Sequence, residues 1–136
     1  MENETIARTR LRIITLYHKI DDIYNIVCKR ADKIKKYNRK MLVNLDEAET
    51  DEQKKLFTEK LKNVKNLRSK NNELKEHATT FKKELKDIEK KIRKKYLNKI
   101  ILNDEDEKWF SSIDFQKYEH YVNQNEKLVG GQDGNT

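Results

Sequence analysis

The side chains best suited to chemistry in this sequence are its lysines and arginines, which form two dense clusters. Residues 29–40 hold seven Lys or Arg and one Asp, and residues 82–99 hold nine against three acids. Helix-borne lysines attract phosphate backbones and release counterions when nucleic acid binds. The residues expected to meet an anionic partner are Lys33, Lys36, Arg39, Lys40, Lys90, Lys91, Arg93, Lys94 and Lys95.

The alternative interpretation of both clusters is a solvated helix surface. Lysine outnumbers the arginine that holds phosphate through two hydrogen bonds. The acids of the second cluster, Glu84, Asp87 and Glu89, can also pair with neighbouring lysines along a helix. Nucleic-acid binding is therefore the second candidate function and not the first.

The sequence offers little of what catalysis or metal binding requires. His18, His77 and His120 lie in separate segments, and Cys28 has no second thiol to pair with. No HExxH motif or nucleophile elbow occurs, and a phosphate-binding loop is excluded because no glycine precedes Gly130. We expect no enzymatic activity, no catalytic or metal-ligating residue, no cofactor and no small-molecule substrate.

The single cysteine and the hydropathy also bear on localisation. One thiol fits a reducing setting, so we expect a cytoplasmic or otherwise intracellular protein. No apolar run approaches the roughly 20 residues of a membrane span, so no membrane span is expected.

Aromatic side chains are concentrated near the C-terminus. Such residues dominate hot spots at protein interfaces, so we expect this group to bind a partner. The alternative is that they pack over the end of the second long helix, around Tyr96, Leu97 and Ile100. Five of the eleven aromatics fall in residues 109–121, namely Trp109, Phe110, Phe115, Tyr118 and Tyr121.

The elements that must position these groups are two long helices. The chain lacks proline, and its three glycines all lie in the last seven residues. Apolar residues recur every seven positions, which is the a position of a coiled coil and predicts a first helix over about 5–45. These a residues are Ile6, Ile13, Ile20, Val27, Ile34 and Met41.

A second heptad series predicts a second helix over about 51–102. Its a residues are Phe57, Val64, Asn71, Ala78, Leu85 and Ile92, with Leu67, Leu74, Phe81 and Ile88 at d. The step from Met41 to Phe57 breaks the seven-residue phase, and Thr50 with Gln53 forms a capping-box pattern. Both features favour an antiparallel hairpin that folds back at 46–50 over a continuous rod, although no glycine is available to end the first helix.

Past residue 103 the composition changes. Residues 1–103 are predicted to form the coiled-coil hairpin, 104–129 an acidic and aromatic segment, and 130–136 a flexible tail. Within 104–129, the run DEDE should form a turn, and Ser111 or Ser112 should cap a short helix that reaches about Leu128. The net charge of +7 is unevenly spread: residues 51–100 carry 17 basic and 8 acidic residues, whereas 101–136 carry 3 and 8.

Three polar or aromatic seam residues predict how the hairpin associates. Tyr17 and Tyr24 occupy e positions and widen the apolar stripe of the first helix, so we expect them to be buried between chains in an oligomer. Asn71 is polar at an a position, which either fixes the register of the helices or marks a hydrated stretch.

These features together predict an all-α protein: a long antiparallel coiled-coil hairpin with a short C-terminal helix, which we expect to form a homo- or hetero-oligomer. The function expected is a non-enzymatic assembly protein, such as an adaptor, scaffold or stalk subunit, that acts through protein–protein contacts. In length and shape alone the chain is similar to coiled-coil hairpin proteins such as the stalk subunits of type III secretion and flagellar export ATPases. That resemblance implies a stalk role but assigns no residue.

Overall fold

The computed structural model describes the backbone of residues 3–134 and the side chains of residues 3–126. The chain forms α1 (Glu4–Glu47), α2 (Asp51–Lys95), α3 (Asp104–Ser112) and α4 (Gln116–Gly134). Helix accounts for 88% of the structure, and the described residues contain no strand. The long helices α1 and α2 pack against each other, which confirms the predicted all-α hairpin.

The fold-back lies where the capping box predicts it. Only residues 48–50 separate α1 from α2. The Gln53 amide N–H donates to Thr50 Oγ1 at 3.1 Å, and Gln53 Oε1 accepts from the N–H groups of Glu49 and Thr50. The turn needs no glycine because no described residue other than glycine has a positive φ.

The chain divides into two compact units. Unit 1 comprises Met1–Ile23 and Ala78–Thr136, and unit 2 comprises Tyr24–His77. Unit 1 contains the first part of α1, the last part of α2, and α3 and α4. Unit 2 contains the remainder of α1 and α2 with the turn between them.

In unit 2 a side-chain hydrogen bond from α2 joins that helix to the backbone of α1. Asn71 Nδ2 donates to the Val27 carbonyl oxygen at 3.0 Å. One heptad towards the turn, Ile34 and Val64 line the same cavity, and the next step brings Met41 level with Phe57. Four of these six residues are buried, namely Val27, Met41, Val64 and Asn71.

Unit 1 has the same heptad pairing and additional cover. Ile13 and Leu85 line one cavity, and this register brings Ile20 level with Ala78 and Ile6 level with Ile92. All six side chains are at most 2% exposed. The core of unit 1 also includes residues of α3 and α4, namely Phe110, Tyr118, Tyr121 and Val122.

The predicted end of the second helix at residue 102 is wrong. α2 ends at Lys95, and the N–H groups of Tyr96 and Leu97 both donate to the Ile92 carbonyl. Tyr96 is buried because it stacks on Trp109 at 5.2 Å and meets Phe110 edge-on at 5.0 Å. These contacts require the chain to reverse direction directly after Lys95.

The predicted acidic turn and serine cap are also corrected. DEDE begins α3, where Asn103 and Asp106 form a capping box. Ser111 and Ser112 lie in its last turn, and Ser112 Oγ donates to the Trp109 carbonyl. The Gln116 N–H at the start of α4 donates to Asp114 Oδ1, so Asp114 supplies the acceptor expected from a serine.

α4 extends to Gly134 and not to about Leu128 as predicted. Side chains from residue 127 onward lie outside the described residues, as do residues 135 and 136 entirely. The flexibility predicted for 130–136 therefore stays a prediction.

Candidate functional site

A groove with apolar side chains lies between the two helices of unit 2. Lys33, Ile34 and Tyr37 of α1 and Val64 and Leu67 of α2 line a cavity of about 310 Å³. Val64 forms the floor, because it is 2% exposed. The ring of Tyr37 and the side chain of Leu67 form the upper walls, with 43% and 55% of their surfaces exposed.

The heptad explains why these side chains share one side of the hairpin. Tyr37 and Leu67 both occupy d positions, and g positions lie beside d on the same flank of each helix. We call this side of unit 2 the d–g face. Leu56 lies on it as well, since eleven residues are close to three full helical turns and place Leu56 in line with Leu67. Leu56 is 48% exposed.

Basic side chains flank this apolar stripe. Lys33 lines the groove, and Lys40 follows it one heptad later on α1. On α2, Lys60 lies one heptad before Leu67 and Lys70 one turn after it. Among the acids of unit 2, Glu47 alone occupies a d or g position, and it lies at the end of α1 beside the turn. The d–g face therefore combines exposed apolar side chains with four lysines: Lys33, Lys40 and Lys70 occupy g positions, and Lys60 occupies a d position between Leu56 and Leu67.

In unit 1 the corresponding heptad positions are covered by α4. Phe81, a d residue of α2, meets the rings of Tyr118 and Tyr121 at 5.3 and 5.2 Å. Arg12 of α1 bonds Glu119 of α4, with Nε to Oε1 at 2.9 Å, and its guanidinium lies 4.3 Å from the Phe115 ring centre. A helix with aromatic and acidic side chains thus packs on this side of the unit 1 hairpin.

A partly buried side-chain hydrogen bond joins α4 to α2. The Tyr118 hydroxyl donates to Glu84 Oε2 at 2.7 Å, and Lys117 Nζ lies 3.0 Å from the same oxygen. Burial would raise the pKa of Glu84, but the bonds from Tyr118 and Lys117 outweigh burial and lower it. Burial and the bond to Glu84 raise the pKa of Tyr118, and burial raises the pKa of Tyr121 to about 12. Both tyrosines stay protonated at neutral pH.

The predicted partner-binding aromatics of the C-terminal segment lie within unit 1. Trp109 is half-buried between Tyr96 and the ammonium of Lys91, whose Nζ is 4.4 Å from the ring centre. This arrangement leaves little of the group on the surface. The contacts with Tyr96 agree with the alternative prediction, in which these aromatics pack over the end of α2. Ile100, which that alternative also expected to be covered, is 70% exposed. The other four members are buried, namely Phe110, Phe115, Tyr118 and Tyr121.

The other predicted association residues are divided between the units. Tyr17 is half-buried in unit 1, edge-on to His18, with Lys82 Nζ 5.7 Å from its ring centre. Tyr24 is half-buried in unit 2. Asn71 is 6% exposed and bonds the Val27 carbonyl, so it has a polar partner within the chain. Its role in fixing the register stays a prediction.

The predicted anionic-partner residues also fall into two groups, one in each unit. Four lie on α1 in unit 2, namely Lys33, Lys36, Arg39 and Lys40, and all are exposed. In unit 1, Lys90, Lys94 and Lys95 are exposed, Lys91 lies over Trp109, and Arg93 Nη2 bonds Glu89 at 2.7 Å. Within the first group, Lys33 lines the groove and Lys40 occupies the g position one heptad later on the d–g face.

Two further features concern ligands and membranes. Within the described residues, no three His, Cys, Asp or Glu side chains lie together in a way that could hold a metal ion. None of the described helices combines the length and hydropathy that crossing a membrane would require.

No protein-family model matches the chain, and neither the curated proteins nor the solved structures contain a significant match to it. The similarity to export-ATPase stalks therefore stays a prediction from shape.

Sequence reasoning did not single out Leu56, Lys60, Leu67 and Lys70 as site residues. The usable signal was the d positions: Tyr37 and Leu67 are large and apolar, yet the sequence of unit 2 supplies no third helix to cover them. The heptad alone could not show that α4 packs on Phe81, a d residue of unit 1, or that Tyr37 and Leu67, d residues of unit 2, are exposed.

Proposed function

We propose that this chain is a non-enzymatic assembly protein, an adaptor, scaffold or stalk subunit that acts through protein–protein contacts in a larger complex. One observation carries the proposal: three large apolar side chains of the d–g face, Tyr37, Leu56 and Leu67, are between 43% and 55% exposed. Tyr37 and Leu67 line the groove, and Leu56 lies on the same face, in a unit that consists of two helices and a turn.

Burial of this stripe would favour association. Fully burying a side chain such as Leu or Phe is worth about 1.5–3 kcal/mol, and aligned apolar residues in one groove are the usual anchor for a helical partner. Single exposed apolar residues are common on monomers, but Tyr37 and Leu67 line one groove and Leu56 lies on the same face, and apolar side chains grouped in this way are typical of an interaction site. The arrangement therefore supports a protein partner in the reducing, intracellular setting expected from the sequence.

Nucleic-acid binding is the competing function, and the exposed Lys36 and Arg39 beside Lys33 and Lys40 favour it. Counterion release makes such binding fall steeply as salt rises, roughly 10³- to 10⁵-fold between 50 and 200 mM for six to ten phosphate contacts. Contacts made by an apolar stripe respond much less to salt.

Purification of the native complex tests the proposal. The chain is isolated from its own cells at 50 and 200 mM salt, with and without nuclease, and co-purifying molecules are identified. We expect a defined protein set that survives nuclease and the higher salt. Recovery of nucleic acid alone, lost at 200 mM salt, would refute the proposal and favour the competing function.

A further inference from the structure

We propose that the d–g face of unit 2 binds an amphipathic helix of a different protein, whose apolar side is flanked by Asp and Glu. This inference rests on the proposed function and names the chemistry of its partner. The expected occupant is an acidic helix of another protein. The competing occupants are a second copy of the chain and a phosphate backbone.

The length of the stripe sets the kind of ligand. Leu56 and Leu67 are eleven residues apart on one helix, which corresponds to about 16 Å at 1.5 Å per residue. Tyr37 faces Leu67 across the groove from α1. A partner helix of three to four turns would span this distance, with apolar residues at i, i+3 or i+4, i+7 and i+11.

The charge at the edges of the stripe selects the partner. Lys33, Lys40 and Lys70 lie at g positions beside Tyr37 and Leu67, Lys60 lies at a d position between Leu56 and Leu67, and the acid Glu47 lies beside the turn. Carboxylates at the flanks of a partner helix would meet these ammonium groups and steer its approach. If a second copy packed through the same face, it would bring a second set of lysines against the first, which like-charge repulsion opposes.

Unit 1 contains an internal example of the same recognition. There α4 packs on the d positions with Tyr118 and Tyr121 against Phe81, while its Glu119 pairs with Arg12 at the edge. Unit 2 presents the same heptad positions with a basic edge, but its own sequence has no third helix. An acidic amphipathic helix supplied by another protein would complete it in the same way.

The test uses the full chain and two labelled synthetic helical peptides. Both peptides carry Leu at a and d, and they differ only in having Glu or Lys at every e and g position. Fluorescence anisotropy at 50 mM salt should show the Glu peptide binding at least ~tenfold more tightly than the Lys peptide, a factor worth about 1.4 kcal/mol. Equal binding of the two peptides, or no binding of the Glu peptide, would overturn the inference.

Two matched variants locate the binding surface. Leu67→Glu places a charge in the groove, whereas Leu42→Glu makes the same change at an exposed b position on the opposite side of the hairpin, where Leu42 is 49% exposed. Leu67→Glu should weaken binding of the Glu peptide at least ~tenfold, and Leu42→Glu should leave it unchanged. Circular dichroism checks that both variants remain helical. Equal loss in both variants would place the peptide elsewhere and contradict the inference.

The competing occupants have their own readouts. Light scattering that shows a dimer of the free chain, abolished by Leu67→Glu, would assign the face to a second copy and overturn the inference. A 20-nucleotide single strand that binds more tightly than the Glu peptide and displaces it would assign the face to phosphate. A protein partner that co-purifies equally with wild type and Leu67→Glu would refute this inference while leaving the proposed function intact.

Discussion

At the scale of single residues, Asn71 is a buried polar side chain at an a position of the hairpin. Its amide lies among apolar a residues and bonds the Val27 carbonyl. The Val27 carbonyl lies within α1, so it also accepts the ordinary helical hydrogen bond from the N–H group four residues later. The bond from Asn71 therefore adds little to stability, because this carbonyl already has a helical partner. What the amide adds is a penalty on registers that would place Asn71 opposite an apolar side chain.

We predict that Asn71→Leu raises the free energy of unfolding by about 1 kcal/mol, because it replaces a desolvated amide and leaves no orphaned carbonyl. The same change should broaden the register of unit 2. Urea denaturation measures the first effect, and the distance distribution between spin labels at positions 32 and 66, with Cys28→Ser, measures the second.

Asn72→Leu is the matched control, since Asn72 is the exposed neighbour of Asn71. It should change neither quantity appreciably. A marked loss of stability in Asn71→Leu with an unchanged, narrow distance distribution would show that Asn71 is needed for stability and not for register.

Asp106 gives a second prediction at this scale. Lys99 Nζ bonds Asp106 Oδ2 at 2.8 Å, and the Asn103 N–H donates to the same oxygen. The bond from Lys99, opposed by partial desolvation and helped by Asn103, lowers the pKa of Asp106. A lowered native pKa stabilises the fold above the unfolded value of about 3.9, and this contribution disappears as pH falls through the lower native pKa.

Asp106→Asn should therefore be less stable than wild type at pH 7, and the difference should shrink as pH falls below about 4. Urea denaturation at pH 7 and pH 3, followed by circular dichroism, measures it. Asp87→Asn, at an exposed position of α2, is the control and should show a much smaller difference at either pH. A difference between Asp106→Asn and wild type that is the same at both pH values would contradict the assignment.

At the scale of elements, α3 and α4 complete the core of unit 1. Removal of residues after Asn103 should lower the thermal stability of unit 1 strongly, because each large side chain withdrawn from the core contributes about 1.5–3 kcal/mol. A chain that ends at Glu126 is the control, since it keeps all the buried residues described for α4. Thermal melts of both chains by circular dichroism decide the matter. An unchanged melt after removal of residues 104–136 would show that these helices do not support the hairpin and would restore their role as a docking element.

Periodicity accounts for what the sequence could predict at this scale. The a residues and the Thr50–Gln53 capping box were enough to place α1, α2 and the turn between them. The end of α2 was missed because Ile100, Ile101 and Leu102 prolong the apolar pattern, whereas the reversal depends on Tyr96 stacking on Trp109. The start of α3 was readable in principle, since Asn103 and Asp106 have capping-box spacing.

At the scale of the whole molecule, the two units differ in their cores: that of unit 1 includes residues of α3 and α4, whereas unit 2 consists of two helices and a turn. The candidate site could be predicted only in part: Lys33 and Lys40 were expected to meet an anionic partner, but the C-terminal aromatics, expected separately to bind a partner, lie in unit 1, where four of the five are buried. Sequence spacing cannot distinguish an aromatic that binds a partner from one that packs on its own chain, because both uses bury the same kind of ring in an apolar contact. The positions of α3 and α4 on unit 1 decide that question.

The central claim is that the chain assembles with another protein through the d–g face of unit 2. The most direct measurement is quantitative mass spectrometry of complexes purified from the native cells with wild type, Leu67→Glu and Leu42→Glu. We predict one protein set that wild type and Leu42→Glu recover equally and that Leu67→Glu loses, with all three chains equally helical. Equal recovery by all three chains, or recovery of nucleic acid without protein, would contradict the claim.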